Sequence, residues 1–190
     1  MTSFSHLQKV TIGHITQNQP IKLVDYDPSW PELFQLEREK ITEAMDEKAL
    51  QIEHVGSTAI PHLCAKPIID MLLLVPDPSK ESTYVPQLEK VGYVLRIREP
   101  ASEGHRMFIG NKNQLHIHVY GPKSEEARDL VLFRDWLRIN QADRLKYQAL
   151  KEQLAQRSWQ TVQDYADAEG PVITEIKQRA REHIADVWNQ

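Results

Sequence analysis

Cysteine is almost absent. The single Cys64 cannot close an internal disulfide, which removes the small disulfide-stapled secreted folds from consideration and leaves Cys64 as a packing residue. Glycine is scarce too, with seven residues in 190, and neither a Gly/Ser-rich linker nor a Pro-rich tract divides the chain. One domain is therefore expected over residues 21–190. Positive charge is not in excess: the net charge is −4, which argues against a nonspecific nucleic-acid binder. Long apolar runs are missing. The longest, Ile68–Val75, is interrupted by Asp70 and is far too short to span a bilayer. The N-terminus lacks a charged segment followed by an apolar one, so a signal peptide is not expected and a cytoplasmic protein is. Residues 1–20 are polar and aperiodic and read as a flexible extension.

What is present is an ordered alternation of strand and helix patterns. Residues 21–26 alternate like a strand. Trp30, Leu33, Phe34, Ile41, Ala44 and Met45 then recur at helical spacing behind Ser29 and Pro31, which suit a helix start. Leu50–Val55 alternates and leads into Gly56; Ile68–Val75 is nearly all apolar. A helix is expected over Ser82–Val91, and strands over Tyr93–Arg98 and Arg106–Gly110. Gln114–Tyr120 alternates strictly. From Ser124 onward the apolar residues follow helical spacing, with Gly170-Pro171 expected to start or kink a helix. The fold class is α/β (α+β), a mixed sheet followed by a helical C-terminal third.

The run His54–Asp70 carries the chemistry. Gly56-Ser57 is a turn whose backbone can approach a phosphate, because its first residue has no Cβ. Asp70 stands inside an apolar strand, where an unpaired carboxylate is expensive, so it faces a cleft or has a cationic partner. His116 and His118 share one face of their strand, since side chains alternate with period two. Two such imidazoles can hold a metal, relay a proton or bind a phosphate; the alternative is a half-exposed strand that happens to carry histidines. His54 either touches a ligand in the turn or caps a carbonyl. Lys66 neutralises Asp70, binds an anion, or is simply solvated. Arg96, Arg98, Arg106 and Arg134 flank the expected sheet and would suit phosphate if they clustered in a cleft.

The same run closely resembles the signature of the GrpB family, His-Val-Gly-Ser-Thr-x-hydrophobic-Pro-Gly-Leu-x-Ala-Lys-Pro-Ile-Ile-Asp. Asp25-Tyr26-Asp27-Pro28-x-Trp30, Leu115–Val119, Phe133–Leu137 and the Tyr147/Lys151 spacing resemble further family motifs in the same order, over roughly residues 21–185. The resemblance implies a nucleotidyltransferase-like mixed β-sheet flanked by helices, a module that also occurs fused to dephospho-coenzyme A kinases. It implies a nucleotide-dependent transferase. Asp70, His116 and His118 would be catalytic, and His54, Gly56, Ser57, Thr58, Lys66, Arg98, Arg106 and Arg134 nucleotide-binding. A divalent cation, Mg²⁺, would sit on Asp70 and His118. The expected partner is a nucleotide or other phosphate-bearing small molecule. Three residues depart from the family pattern: His62 replaces a Gly, Cys64 a small residue, and Glu169 an expected Lys. Leu72 occupies the second acidic position of the superfamily motif, where a two-ion site wants a carboxylate. A noncatalytic anion-binding module and a mononuclear metal-dependent hydrolase are the competing readings.

Overall fold

The computed structural model describes residues 4–15, 17, 20–110 and 114–188. Five strands, β1 (Gln51–Val55), β2 (Ile69–Leu74), β3 (Val94–Glu99), β4 (His105–Gly110) and β5 (Leu115–Tyr120), form one mixed sheet in the order β1-β2-β5-β4-β3. Only β2 and β5 run parallel; the other pairs are antiparallel.

Alternation decides which face is which. Met71, Leu73, Phe108, Ile117 and Val119 point to one side, where they pack with Ile41 and Met45 of α2 (Trp30–Met45) and Leu88 of α3 (Val85–Lys90) into the main core. The opposite face carries Asp70, His116 and His118. It is covered only toward the far ends of β2 and β5, where Leu72 and Tyr120 pack under Ala127 of α4 (Glu125–Ile139). The site is thus the stretch of sheet that the helices leave open.

Helix α5 (Gln141–Ala155) and helix α6 (Val162–Trp188) form the C-terminal layer with α4. Asn140 caps α5 by accepting the Asp143 N–H, and Ser124 caps α4 by accepting the Ala127 N–H. Gly170-Pro171 does not start a helix: α6 runs through Pro171, and Thr174 Oγ1 donates to the Gly170 carbonyl. Proline removes a donor, but here the packing of Val172, Ile173 and Ile176 against the loop residues Ile60 and Leu63 holds the helix in place.

Other expectations shift for similar reasons. The strand expected at residues 21–26 is one isolated bridge, Val24 with Ala65, joined by backbone bonds of 2.9 and 3.0 Å. Leu33, placed on the apolar face of α2, is exposed together with Leu36. The helix expected over Ser82–Val91 is a 3-10 turn (Glu81–Thr83) followed by α3. The extension at residues 1–20 contains α1 (Phe4–Val10), whose Leu7 and Val10 are buried. Arg96 anchors the following turn by donating to the Ile12 carbonyl at 2.7 Å and to that of His14, so Arg96 is a tether for this segment. Residues 1–3, 16, 18 and 19 of the expected extension lie outside the described residues.

Candidate metal and anion site

The register of the parallel pair puts Asp70 beside His116 and Leu72 beside His118. The Asp70 carboxylate lies between the two rings, with Oδ1 3.3 Å from His116 Nδ1 and 3.7 Å from His118 Nε2. All three side chains are partly exposed, and one donor atom from each lies within 4.8 Å of the others. Two donors on a tetrahedral ion at 2.0–2.1 Å stand about 3.4 Å apart. The observed separations match that spacing and are long for direct hydrogen bonds. Burial opposes ionisation of Asp70, but the two histidines outweigh it and hold the carboxyl far below the usual range. Burial in turn lowers the pKa of His118, with Asp70 opposing, so the imidazole keeps a lone pair for a cation.

Behind the rings lies a further shell. His105 Nε2 is 3.2 Å from His118 Nδ1, and His105 Nδ1 is 2.9 Å from Glu99 Oε2. The His105 ring is nearly parallel to that of His118 and stacks on Tyr120. The hydrogen bond from His105 lowers the Glu99 pKa against the effect of burial, and His6 adds to it. Sequence reasoning missed Glu99 and His105, because only the β3–β4 register, which pairs them across the sheet, brings them together.

The Gly56-Ser57 turn closes the other side. Gly56 has φ +68° and ψ −173°, a conformation open in practice only to glycine, and a Cβ there would lie 2.5 Å from Asp70 Oδ2. The 3-10 turn Ser57–Ala59 follows, and the Ser57 and Thr58 N–H groups, at its start, have no partner among the described residues. Arg138 Nε holds the turn from α4 by donating to the Ala59 carbonyl at 3.0 Å. Lys151 Nζ donates to Ser57 Oγ at 2.6 Å. Lys151 is buried, and burial lowers its pKa to about 8 although Glu169 pulls the other way. Tyr147, Tyr165 and Glu169 complete this buried group; among the described residues neither Glu169 Oε1 nor the Tyr165 hydroxyl makes a hydrogen bond of full geometry. Burial raises the Glu169 pKa. Lys66 Nζ sits 5.2 Å from the centre of the Tyr165 ring, beside this group.

Several predicted ligands have their contacts away from the Asp70 carboxylate. His54 faces the core side of the sheet, stacks on Phe34, and shares a 3.0 Å hydrogen bond with Thr58 Oγ1, which donates to the Ile68 carbonyl. Burial lowers its pKa to about 4. His54 and Thr58 therefore brace the turn from behind. Arg98 and Arg106 are one register pair on the face opposite His118, and both bind Glu81; Arg106 also donates to the Gly104 carbonyl. Arg134 is buried and donates to Glu53, Asp135 and the His54 carbonyl. Each guanidinium has a carboxylate partner, and Arg98 and Arg106 lie on the face away from Asp70. An open cavity of about 400 Å³ at the far ends of β2 and β5 holds none of the predicted residues, and its Glu103 is already bound to Ser124 and to the first N–H groups of α4.

The family profile described as GrpB protein matches residues 20–179. A UPF0157 protein of Halalkalibacterium halodurans is 51% identical over 175 residues, 92% of this chain and 90% of the relative. A dephospho-CoA kinase of Mycolicibacterium paratuberculosis is 26% identical across 85% of this chain, which spans 46% of that enzyme. The crystal structure of a conserved protein GrpB from Enterococcus faecalis superposes with a TM-score of 0.74 at 32% identity, covering 86% of this chain and 99% of that one. None of the described helices is long and apolar enough to cross a membrane. With the profile spanning the turn, the Asp70 strand, the paired histidines and Lys151 together, this chain belongs to the GrpB family.

Proposed function

We propose that this protein holds one divalent transition-metal ion on Asp70, His116 and His118 and acts on a phosphate-bearing small molecule, a nucleotide, seated against the Gly56-Ser57 turn. The reaction is transfer of a nucleotidyl or phosphoryl group. The observation that carries this reading is the convergence of one carboxylate and two imidazoles within 4.8 Å, at the edge of a turn with unpaired N–H donors. Imidazole ligands suit zinc, manganese, iron or cobalt better than Mg²⁺, which prefers oxygen. When bound, such an ion supplies Lewis acidity toward a phosphoryl oxygen.

The rest of the work falls to the chain itself. The N–H groups of Ser57 and Thr58, without a partner among the described residues, donate to phosphate oxygens, and Lys151, behind Ser57, adds positive charge near that anion. Leu72, buried beneath α4, leaves no second carboxylate on this strand, which favours one ion over two. The same set of ligands serves a hydrolase if water is the acceptor. The similarity to dephospho-CoA kinases supports a nucleotide setting.

A thermal-shift screen of nucleoside triphosphates, coenzyme A precursors and inorganic pyrophosphate, each with and without Mn²⁺ or Zn²⁺, tests this reading. The expected result is a shift that needs both metal and a phosphate compound. A shift with metal alone, and none with any phosphate compound, would remove the nucleotide from the proposal.

A further inference from the structure

We propose that Glu99 and His105 are positioning residues for the site, fixing His118 in the tautomer that turns its Nε2 lone pair toward Asp70. The inference rests on the metal reading above and adds to it a residue chain that none of the family motifs contains.

The Glu99 carboxylate only accepts, so the 2.9 Å contact places the His105 proton on Nδ1. A His105 ring that carries only this proton has a bare Nε2, which can only accept. The atom 3.2 Å away, His118 Nδ1, must therefore donate. With its proton on Nδ1, His118 presents a lone pair at Nε2, and that lone pair faces Asp70 Oδ1 across 3.7 Å. A cation between these two acceptors satisfies both, so this tautomer is the one a metal ligand at Nε2 needs.

Local packing makes the chain rigid. Glu99 and His105 are register partners on β3 and β4, and Met107, two residues on, pairs with His118 on β5, so all three side chains share one face. His105 is buried and its ring is clamped between His118 and Tyr120, with ring planes within 12° and 18° of parallel. Glu99 is steadied from the other side by His6 of α1 at 3.1 Å.

The test reads the tautomer directly. Long-range ¹H–¹⁵N spectra of the metal-free full-length protein at pH 8 should show His118 protonated on Nδ1 and bare at Nε2. In Glu99→Ala and in His105→Phe that pattern should be lost. Isothermal titration with Zn²⁺ or Co²⁺ alone should then show a 10- to 100-fold weaker Kd in both variants. Glu99→Ala keeps the His105 ring, so it serves if His105→Phe does not fold. A wild-type His118 carrying its proton on Nε2 at pH 8 would overturn the inference, as would unchanged metal affinity in a folded Glu99→Ala protein. The Nδ1–H form in a wild type that binds neither ion would instead defeat the metal reading and leave the tautomer assignment standing.

Discussion

Asp70 and Asp143 are both carboxylates in the interior half of this molecule, and they are treated in opposite ways. Asp143, in the helical layer, accepts from Trp136 Nε1 at 2.7 Å and from the Arg179 guanidinium at 2.7 and 3.0 Å, and its own N–H is capped by Asn140. It joins α4, α5 and α6. Asp70, on the open face of the sheet, has two rings at distances that suit a shared ion better than a hydrogen bond. A carboxylate that serves the fold is saturated by the protein; one that serves chemistry keeps its capacity for something else. The other donors divide in the same way: Arg98, Arg106 and Arg134 each meet a carboxylate, whereas the Ser57 and Thr58 N–H groups have no partner among the described residues.

The contrast breaks most visibly at Gly56. Gly56→Ala forces a side chain into a glycine-only conformation and against Asp70, so a loss of about 3–4 kcal/mol is expected by chemical denaturation, with metal affinity falling too. Next comes Asp143→Asn, expected to cost roughly 2–3 kcal/mol, because it leaves Arg179 without its carboxylate, while metal affinity measured by calorimetry stays at the wild-type value. A metal affinity that fell with Asp143 would mean that the two regions are not separate.

Lys151 gives a smaller effect with a definite sign. The folded state holds its pKa at about 8, below the ordinary lysine range. Between those values the unfolded chain binds the extra proton, so stability rises with pH across that window. Denaturation midpoints of wild type from pH 8 to 9.5 should rise by on the order of 1–2 kcal/mol relative to Lys151→Met, which lacks the titrating group. A flat difference would mean that the ammonium is not held at a cost in the fold.

How much of this was legible in the sequence depends on range. The alternation of Leu115–Tyr120 and the apolar run around Asp70 predicted the strands, and period two alone put His116 and His118 on one face. The parallel pairing that brings Asp70 to them is a tertiary fact no local pattern encodes. Where the arginines lie is not written in charge and spacing, which cannot tell which sheet face a residue takes or that Glu81 stands beside Arg98 and Arg106. Glu99 and His105 were invisible, since their pairing exists only through hairpin register. The replacement at residue 62 was noticed in the sequence but became intelligible only in the fold: His62 has φ +67°, a left-handed conformation that favours the glycine usual in the family. His62→Gly should accordingly be the mildest change, a gain of about 0.5–1 kcal/mol in thermal denaturation, with metal binding unaltered. A loss of stability would mean that the His62 contact with Tyr26 outweighs the strain.

The central claim is that the unsaturated carboxylate is a metal ligand, and the most direct measurement is calorimetric titration of Zn²⁺ or Co²⁺ into metal-free wild type and Asp70→Asn, with unfolding curves recorded on the same samples. The account predicts one equivalent bound by wild type, at least 100-fold weaker binding by Asp70→Asn, and a variant that still folds cooperatively without metal. Equal metal binding by a folded Asp70→Asn protein, or a large loss of stability with no metal bound by either form, would contradict it.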